Sequence, residues 1–359
     1  MATISLCMIV KNEEQVLDRC LSCVADIVDE IIIADTGSTD KTKEIAAKYT
    51  DKIYDFEWIK DFAAARNFAF SHGTKEWLMW LDADDYLTDA DRENLRKLKS
   101  SLPLDADSVM CRYNLSFDGA GNPTFFSTRE RMVKNDGQPR WHGAIHEYMQ
   151  VRGRTITSDF AVNHGPLHQG NTERNIGIFE NMLATGAEFS PREMYYYARE
   201  LYYSGRYQES IEWLEKFLGT DGGWVEDKIE ACNMLGRMHE GDASLVALFR
   251  SFAYDMPRSE ICCAIGDRFL AAEKYAIAAY WYKRALVAQP PKLAFADADS
   301  CGYTPAAQLC LCYWKLGDLA KAEEYNNKAA EFKPYAESVE YNRKFFEEHK
   351  RSIAVAEEE

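Results

Sequence analysis

Apolar and polar positions follow two different rhythms along this chain, and the change falls near residue 190. From Thr3 to about Asn163, short apolar runs alternate with stretches of helical period. Ile4-Ser5-Leu6-Cys7-Met8-Ile9-Val10 reads as a buried strand, Glu13 to Val24 as a helix, and Ile31-Ile32-Ile33-Ala34 as a second strand. Thr39 or Asp40 can cap a helix running to Lys48. Ile53-Tyr54 starts a third strand, Phe62 to Ser71 is helical, and Trp77-Leu78-Met79-Trp80-Leu81 is a fully apolar strand. Such strands separated by helices predict an α/β domain with a mainly parallel sheet covered on both faces. Beyond Leu104 the pattern turns strand-like and irregular, over Ser108–Ser116, Thr124–Val133 and Ile145–Val151.

From about Pro191 onward no strand pattern remains. Gly205, Gly241, Glu273 and Gly317 each open a turn between paired helical stretches, at spacings of 36, 32 and 44 residues. Five residues on stand Ser210, Val246, Ala278 and Ala322, mostly small; eight on stand the aromatics Trp213, Phe249, Trp281 and Tyr325. Pro290 and Pro334 follow two of the four turns at a common distance. The pattern resembles the tetratricopeptide repeat, whose period is about 34 residues. The excess in the last spacing is assigned to a loop from Pro290-Pro291 to Tyr303. Four segments are therefore expected: an α/β domain over 1–170, a junction over 171–190 with a helix from about Asn175 to Leu183, helical repeats over 191–350, and an acidic tail over 351–359.

Composition narrows the class. At 359 residues two domains are the natural expectation. A net charge of -16 argues against nucleic acid as a partner, because phosphate would be repelled. No apolar run reaches the ~18 residues of a membrane span, and Met1 to Ser5 carry no basic leader. Ten cysteines in a chain this long suit free thiols in a reducing compartment, so a cytoplasmic location is expected. Cys20 and Cys23 fall in a helical pattern with Val16, Leu17 and Val24, which predicts buried core rather than metal or redox chemistry.

Candidate chemistry lies at Leu81-Asp82-Ala83-Asp84-Asp85, directly after the apolar strand. Strand ends are where open α/β sheets bind ligands. Two acids one residue apart repel each other unless a divalent cation joins them, and that cation can also take phosphate oxygens. A second cluster, Trp141-His142-Gly143-Ala144-Ile145-His146-Glu147, offers a carboxylate or imidazole as a base, Glu147 first and His146 second. His146, or His164 in Asn163-His164-Gly165, could also complete a metal shell. Neither G-x-G-x-x-G nor G-x-x-x-x-G-K-[ST] occurs, which removes the common dinucleotide and P-loop readings.

Read in order, Met8-Ile9-Val10-Lys11-Asn12-Glu13-Glu14, Asp35-Thr36-Gly37-Ser38-Thr39-Asp40, Asp61-Phe62-Ala63-Ala64-Ala65-Arg66-Asn67 and Leu81-Asp82-Ala83-Asp84-Asp85 closely resemble glycosyltransferase family 2, enzymes of the GT-A fold. The resemblance covers roughly residues 3 to 170. The added repeat is similar to a bacterial branch that includes sublancin-type peptide S-glycosyltransferases. The resemblance implies that Val10, Lys11 and Glu13 line the nucleoside pocket and that Asp35 accepts a hydrogen bond from uracil. It also implies that Arg66 reaches the base or diphosphate with Asn67 supporting it, that Asp82 and Ala83 lie near the ribose and donor sugar, and that Asp84 binds Mg2+ or Mn2+. From the residues alone, Asp35 could merely cap a turn and Arg66 could pair with a neighbouring acid. The expected activity is an inverting, metal-dependent transfer of a hexose from a UDP-sugar to a peptide or protein side chain, cysteine or hydroxyl, with inversion taken from the family alone. A surface glycan as acceptor and a non-catalytic repeat scaffold are the rivals. The repeat also offers a surface for self-association.

Overall fold

A computed structural model describes residues 1–117, 121, 123–138, 140–165, 171–288 and 299–358. The chain forms two compact units, Met1–Glu188 and Phe189–Glu359.

The first unit runs β1 (Ile4–Val10), α1 (Leu17–Ser22), β2 (Glu30–Asp35), α2 (Thr42–Ala46), β3 (Ile53–Asp55), α3 (Phe62–Ser71), β4 (Trp77–Met79), β5 (Asp85–Tyr86), α4 (Asp89–Ser101), β6 (Ser108–Phe117), β7 (Pro123–Lys134), β8 (Trp141–His142), β9 (Tyr148–Met149), β10 (Thr155–His164) and α5 (Thr172–Ala184). Eight strands form one sheet in the order β3-β2-β1-β4-β7-β6-β10-β5, and β8 and β9 pair separately. The pairings β1·β2, β1·β4, β2·β3 and β6·β10 are parallel, whereas β4·β7, β6·β7 and β5·β10 are antiparallel. The sheet is thus mixed, and three of its four parallel pairings lie among β1 to β4, where the sequence shows apolar runs.

Alternation along β1 explains why both faces are covered. Ile4, Leu6, Met8 and Val10 pack with Leu17, Cys20 and Leu21 of α1, Ala46 of α2 and Leu95 of α4. Cys7, with Ile32 and Ala34 of β2, faces Ala63, Ala69 and Phe70 of α3 together with Trp141 and Met149. Neither α4 nor β10 stands out in the sequence. The helix α4 carries Leu95 as its one fully buried side chain among charged neighbours, so its apolar signal is thin. The expected strand over Ile145–Val151 shrinks to Tyr148–Met149.

The segment 171–190, expected as a junction, is mostly structured within the first unit. Asn171 caps α5 by accepting from the Arg174 N–H, and the helix buries Ile176, Ile178 and Phe179. Residues 166–170, at the end of the domain expected over 1–170, lie outside the described residues, as do Pro290 and Pro291.

The second unit contains α6 (Pro191–Tyr203), α7 (Tyr207–Leu218), α8 (Val225–Met238), α9 (Gly241–Arg250), α10 (Ser259–Ala271), α11 (Tyr275–Val287), α12 (Tyr303–Lys315), α13 (Leu319–Phe332) and α14 (Glu337–Glu358). Consecutive helices form hairpins, α6·α7, α8·α9, α10·α11 and α12·α13. All four expected turn residues have left-handed φ: Gly205 +80°, Gly241 +57°, Glu273 +56° and Gly317 +79°. The second repeat needs a correction in register. Val246 is exposed, and the small residue against the partner helix is Ser244, whose hydroxyl donates to the Gly236 carbonyl just as that of Ser210 donates to Ala198. The buried small positions are Ser210, Ser244, Ala278 and Ala322, spaced by 34, 34 and 44 residues. Gly241 opens its helix directly instead of preceding it by two residues, and that shortening displaced the alignment. Residues 351–358, expected as a tail, continue the backbone of α14.

Candidate functional site

Parallel pairing brings the carboxyl ends of β1, β2 and β4 to one edge, with Val10 opposite Asp35. Asp82 to Asp85 follow β4 at that edge. Asp35, 1% exposed, accepts at Oδ1 from the Gly37 and Ser38 amides (3.0 and 2.8 Å). The turn it caps needs Gly37, whose φ is +102°. Capping does not exhaust this carboxylate, because its buried Oδ2 has no hydrogen-bond partner. Asn12, in left-handed conformation at φ +55°, ties the β1 loop to the β2 loop by accepting from the Thr39 amide at 2.8 Å. Glu13 follows, with its amide donating to Thr42 Oγ1 at 2.7 Å. Val10 is buried and Lys11 exposed.

Asp61 caps α3 by accepting from the Ala64 N–H, and this sets the helix that delivers Arg66. Arg66 is 8% exposed. Its Nε donates to Glu147 Oε1 at 2.7 Å and its Nη2 to Asp82 Oδ1 at 2.8 Å. The rings of Trp80 and Trp141 both lie 4.8 Å from the guanidinium carbon. Burial works against this cation, but Asp82 and Glu147 outweigh it and raise its pKa above the ordinary arginine value. Arg66 therefore does pair with neighbouring acids, and it joins the two candidate clusters, 81 residues apart in sequence for Glu147. Its Nη1 is buried without a partner. Asn67 is spent locally: Oδ1 accepts from the Arg140 and Trp141 amides and Nδ2 donates to the Trp141 carbonyl. It anchors β8 beside Arg66, so its support for Arg66 is indirect.

Below Asp82 lies a layer that sequence reasoning passed over. Asp85 is fully buried: Oδ2 pairs with Arg131 at 3.0 Å and accepts from the Asp82 amide at 3.0 Å, and Oδ1 accepts from the Tyr113 hydroxyl at 2.9 Å. Arg131 is also fully buried, with its guanidinium over Trp80 and Tyr113. An arginine at a core-facing strand position was the available signal, since buried charges are rare unless paired. Burial alone would raise Asp82, but Arg66 and Arg131 hold it below the usual carboxylate range.

Asp84, Asp85 and His164 form the one group among the described residues with metal-ligand geometry, their donor atoms lying within 4.8 Å of one another. His164 Nδ1 is 3.5 Å from Asp84 Oδ1 and 3.0 Å from the Tyr113 hydroxyl. Burial disfavours the imidazolium, but Asp84 and Asp85 lift His164 to about 10. Glu13 is pushed up to about 7 by burial and by the charges of Asp84, Asp82 and Asp40. The carboxylates of Glu13, Asp82 and Asp84 thus stand close enough at this edge to act on one another. His146 does not join the group. It stands at φ +50°, its ring 6.3 Å from that of Phe179. Of the two histidines left open by the sequence, the geometry brings His164 to Asp84. Oxygen donors with one imidazole fit Mg2+ or Mn2+. Cys20 and Cys23 are buried, contacting the Asp82 carbonyl and the Leu87 amide, and all ten cysteines are free.

Residues 5–149 match the family model described as Glycosyl transferase family 2. The SPbeta prophage-derived glycosyltransferase SunS of Bacillus subtilis (strain 168) is 30% identical over 231 residues, covering 61% of this chain and 54% of SunS. A TPR repeat-containing protein of Synechococcus elongatus is 37% identical over 147 residues, 41% of this chain and 35% of its own. The chain thus spans about half the length of the first of these relatives. Among solved structures, that of MamA has a TM-score of 0.37 at 17% identity, covering 45% of this chain and 81% of MamA.

Proposed function

Because the N-terminal unit of this chain belongs to glycosyltransferase family 2, we propose that the protein moves a hexose from a UDP-sugar to a peptide or protein side chain in the cytoplasm, with a divalent cation. The observation that carries this reading is the convergence of Asp84 and His164 beside Asp82 and Glu13, at the carboxyl ends of parallel strands. Asp84 and His164 would hold Mg2+ or Mn2+. When bound, the cation supplies Lewis-acid stabilisation of negative charge on the departing diphosphate.

The chain's own residues supply the rest. Asp35 offers its unpartnered Oδ2 to the N–H of uracil, the Val10–Glu13 backbone flanks the nucleoside, and Asp82 with Ala83 lies toward the ribose and sugar. Arg66 fixes Asp82 and Glu147 relative to each other, and its unpartnered Nη1 is a donor for a diphosphate oxygen. Glu147 takes the proton of the attacking side chain. A thiol asks least of that base, since it ionises near ~8.5. Two features favour a peptide acceptor. One is the resemblance to the peptide S-glycosyltransferase branch. The other is a groove of about 560 Å³ in the repeat unit, lined by Leu311, Trp314, Tyr341 and Phe345. Free thiols throughout suit a reducing location.

The test is release of UDP from several UDP-hexoses with Mn2+ or Mg2+, before and after EDTA. Turnover that EDTA removes and added metal restores is expected. Turnover of every active donor that ignores EDTA would remove the cation from the mechanism. No turnover with any donor and any divalent cation would leave the scaffold reading in its place.

A further inference from the structure

A fully buried ion pair lies beneath the Asp82–Asp85 turn and has no role in the reading above. Asp85 and Arg131, both 0% exposed, pair at 3.0 Å. Arg131 reaches this place through a slip in register. Val109 pairs with Met132 but Met110 with Glu130, so Arg131 is skipped as in a β-bulge, a device that re-aims side chains beside functional sites. Its guanidinium lies over the rings of Trp80 and Tyr113, and its Nε and Nη2 have no hydrogen-bond partner. Desolvation offsets most of the attraction in so deep a pair, so it adds little net stability. What it does supply is direction.

Asp85 passes that direction on twice. Its Oδ2 also accepts from the Asp82 amide at 3.0 Å, which holds the turn that carries Asp84. Its Oδ1 accepts from the Tyr113 hydroxyl at 2.9 Å. Both oxygens are thus committed, so Asp85 supports the cation site instead of ligating there, although it lies within the same group of donor atoms. A hydroxyl has one proton to give. With that proton on Asp85, Tyr113 accepts from His164 Nδ1–H at 3.0 Å. Asp84 Oδ1 and Asp85 Oδ1 stand farther from the same nitrogen, at 3.5 and 3.6 Å. Pairing of His164 with Asp85 fixes the backbone of β10 here but leaves the two side-chain torsions of His164 open. Tyr113, 7% exposed and packed under Arg131, is held firmly enough to close them. We propose that Tyr113 is a positioning residue for the cation site: its hydroxyl transmits the placement set by the Arg131–Asp85 pair to the imidazole of His164. The inference rests on the cation reading above and adds to it the layer that holds the ligands.

The test compares wild type, Tyr113→Phe and Tyr282→Phe in the full chain. Tyr113→Phe keeps the ring and removes the hydroxyl. Tyr282→Phe removes a hydroxyl of the second unit that donates to Asp267 at 2.6 Å, and so controls for a loss of stability alone. Mn2+ binding is read by paramagnetic resonance and folding by circular dichroism. The expected result is a fall of roughly 10- to 100-fold in the Mn2+ affinity of Tyr113→Phe, the usual loss when the outer partner of a ligand is removed, with Tyr282→Phe at the wild-type value. If Tyr113→Phe does not fold, NMR of the metal-free wild type decides. The Nδ1 proton of His164 should exchange slowly with water and show a cross-peak to the Tyr113 ring, and a fast-exchanging proton without that cross-peak overturns the inference. Wild-type Mn2+ affinity in Tyr113→Phe, or an equal fall in both variants, overturns the inference and leaves the cation reading standing. Failure of wild type to bind Mn2+ at all overturns both.

Discussion

Replacing Arg66 with methionine should destabilise the first unit by about 3–5 kcal/mol, the cost of leaving buried charge without its partner. The magnitude follows from what the guanidinium holds. Asp82 and Glu147 accept from it at 2.8 and 2.7 Å, and the Glu147 side chain is only 13% exposed. Methionine keeps most of the packing between Trp80 and Trp141 but forfeits both ion pairs and two cation–π contacts worth about 0.5–2 kcal/mol each. In a unit of 188 residues, each kcal/mol moves the melting temperature by roughly 2–4 °C, so a drop on the order of 10 °C is expected. The assay is urea and thermal unfolding of the full chain, followed by tryptophan fluorescence. The pH dependence supplies a second check. Burial raises Asp82, yet Arg66 and Arg131 bring it below its ordinary value. A carboxylate depressed by folding contributes stability above its unfolded pKa and loses it as pH falls through the lower folded value. The penalty of Arg66→Met should therefore shrink below about pH 4. Adding Asp82→Asn and Glu147→Gln should also recover much of the loss. A variant that unfolds within about 1 kcal/mol of wild type at pH 7 would refute the claim that this cation neutralises both acids.

Other consequences are open to measurement. Asp84→Ala should abolish metal-dependent UDP release with an unchanged circular dichroism spectrum. His164→Ala should weaken Mn2+ binding, read by paramagnetic resonance, whereas His146→Ala should not. Glu147→Gln should slow transfer far more than it weakens UDP-sugar binding; an unchanged transfer rate places the base elsewhere. Glu30 accepts from Ser5, Lys52 and Thr74, which bring it down to about 2 although burial opposes them. Its stabilisation is thus present above the ordinary 4.5 and lost as pH falls toward about 2, so the gap between wild type and Glu30→Gln, about 1–3 kcal/mol at neutral pH, should close across that window in pH-dependent unfolding. Glu273→Gly should raise the stability of the repeat unit by about 1 kcal/mol in urea unfolding, because Glu273 occupies the left-handed turn position that Gly205 and Gly317 fill in the first and last hairpins.

Local patterns announced much of the fold. The apolar runs became β1, β2 and β4 because a strand buried on both faces must be apolar at every position, and α3 spans Phe62–Ser71 as its period and Asp61 cap require. The helical hairpins were legible from their turn residues, whose left-handed geometry leaves a mark in sequence. The register of the second repeat was not, because a helix that starts two residues early changes which small residue faces inward without changing the composition around it.

Sequence named Asp82, Asp84 and Glu147 as candidates from residue type and placement, and the resemblance to glycosyltransferase family 2 added Arg66. Tertiary structure decided which of them meet. Only strand order and register place His164 against Asp84, bind Arg66 to two acids at once, and bury Asp85 beneath them against Arg131 and Tyr113. These contacts join residues tens of positions apart, and electrostatic energy depends on separation in space and on burial, neither of which a linear pattern records.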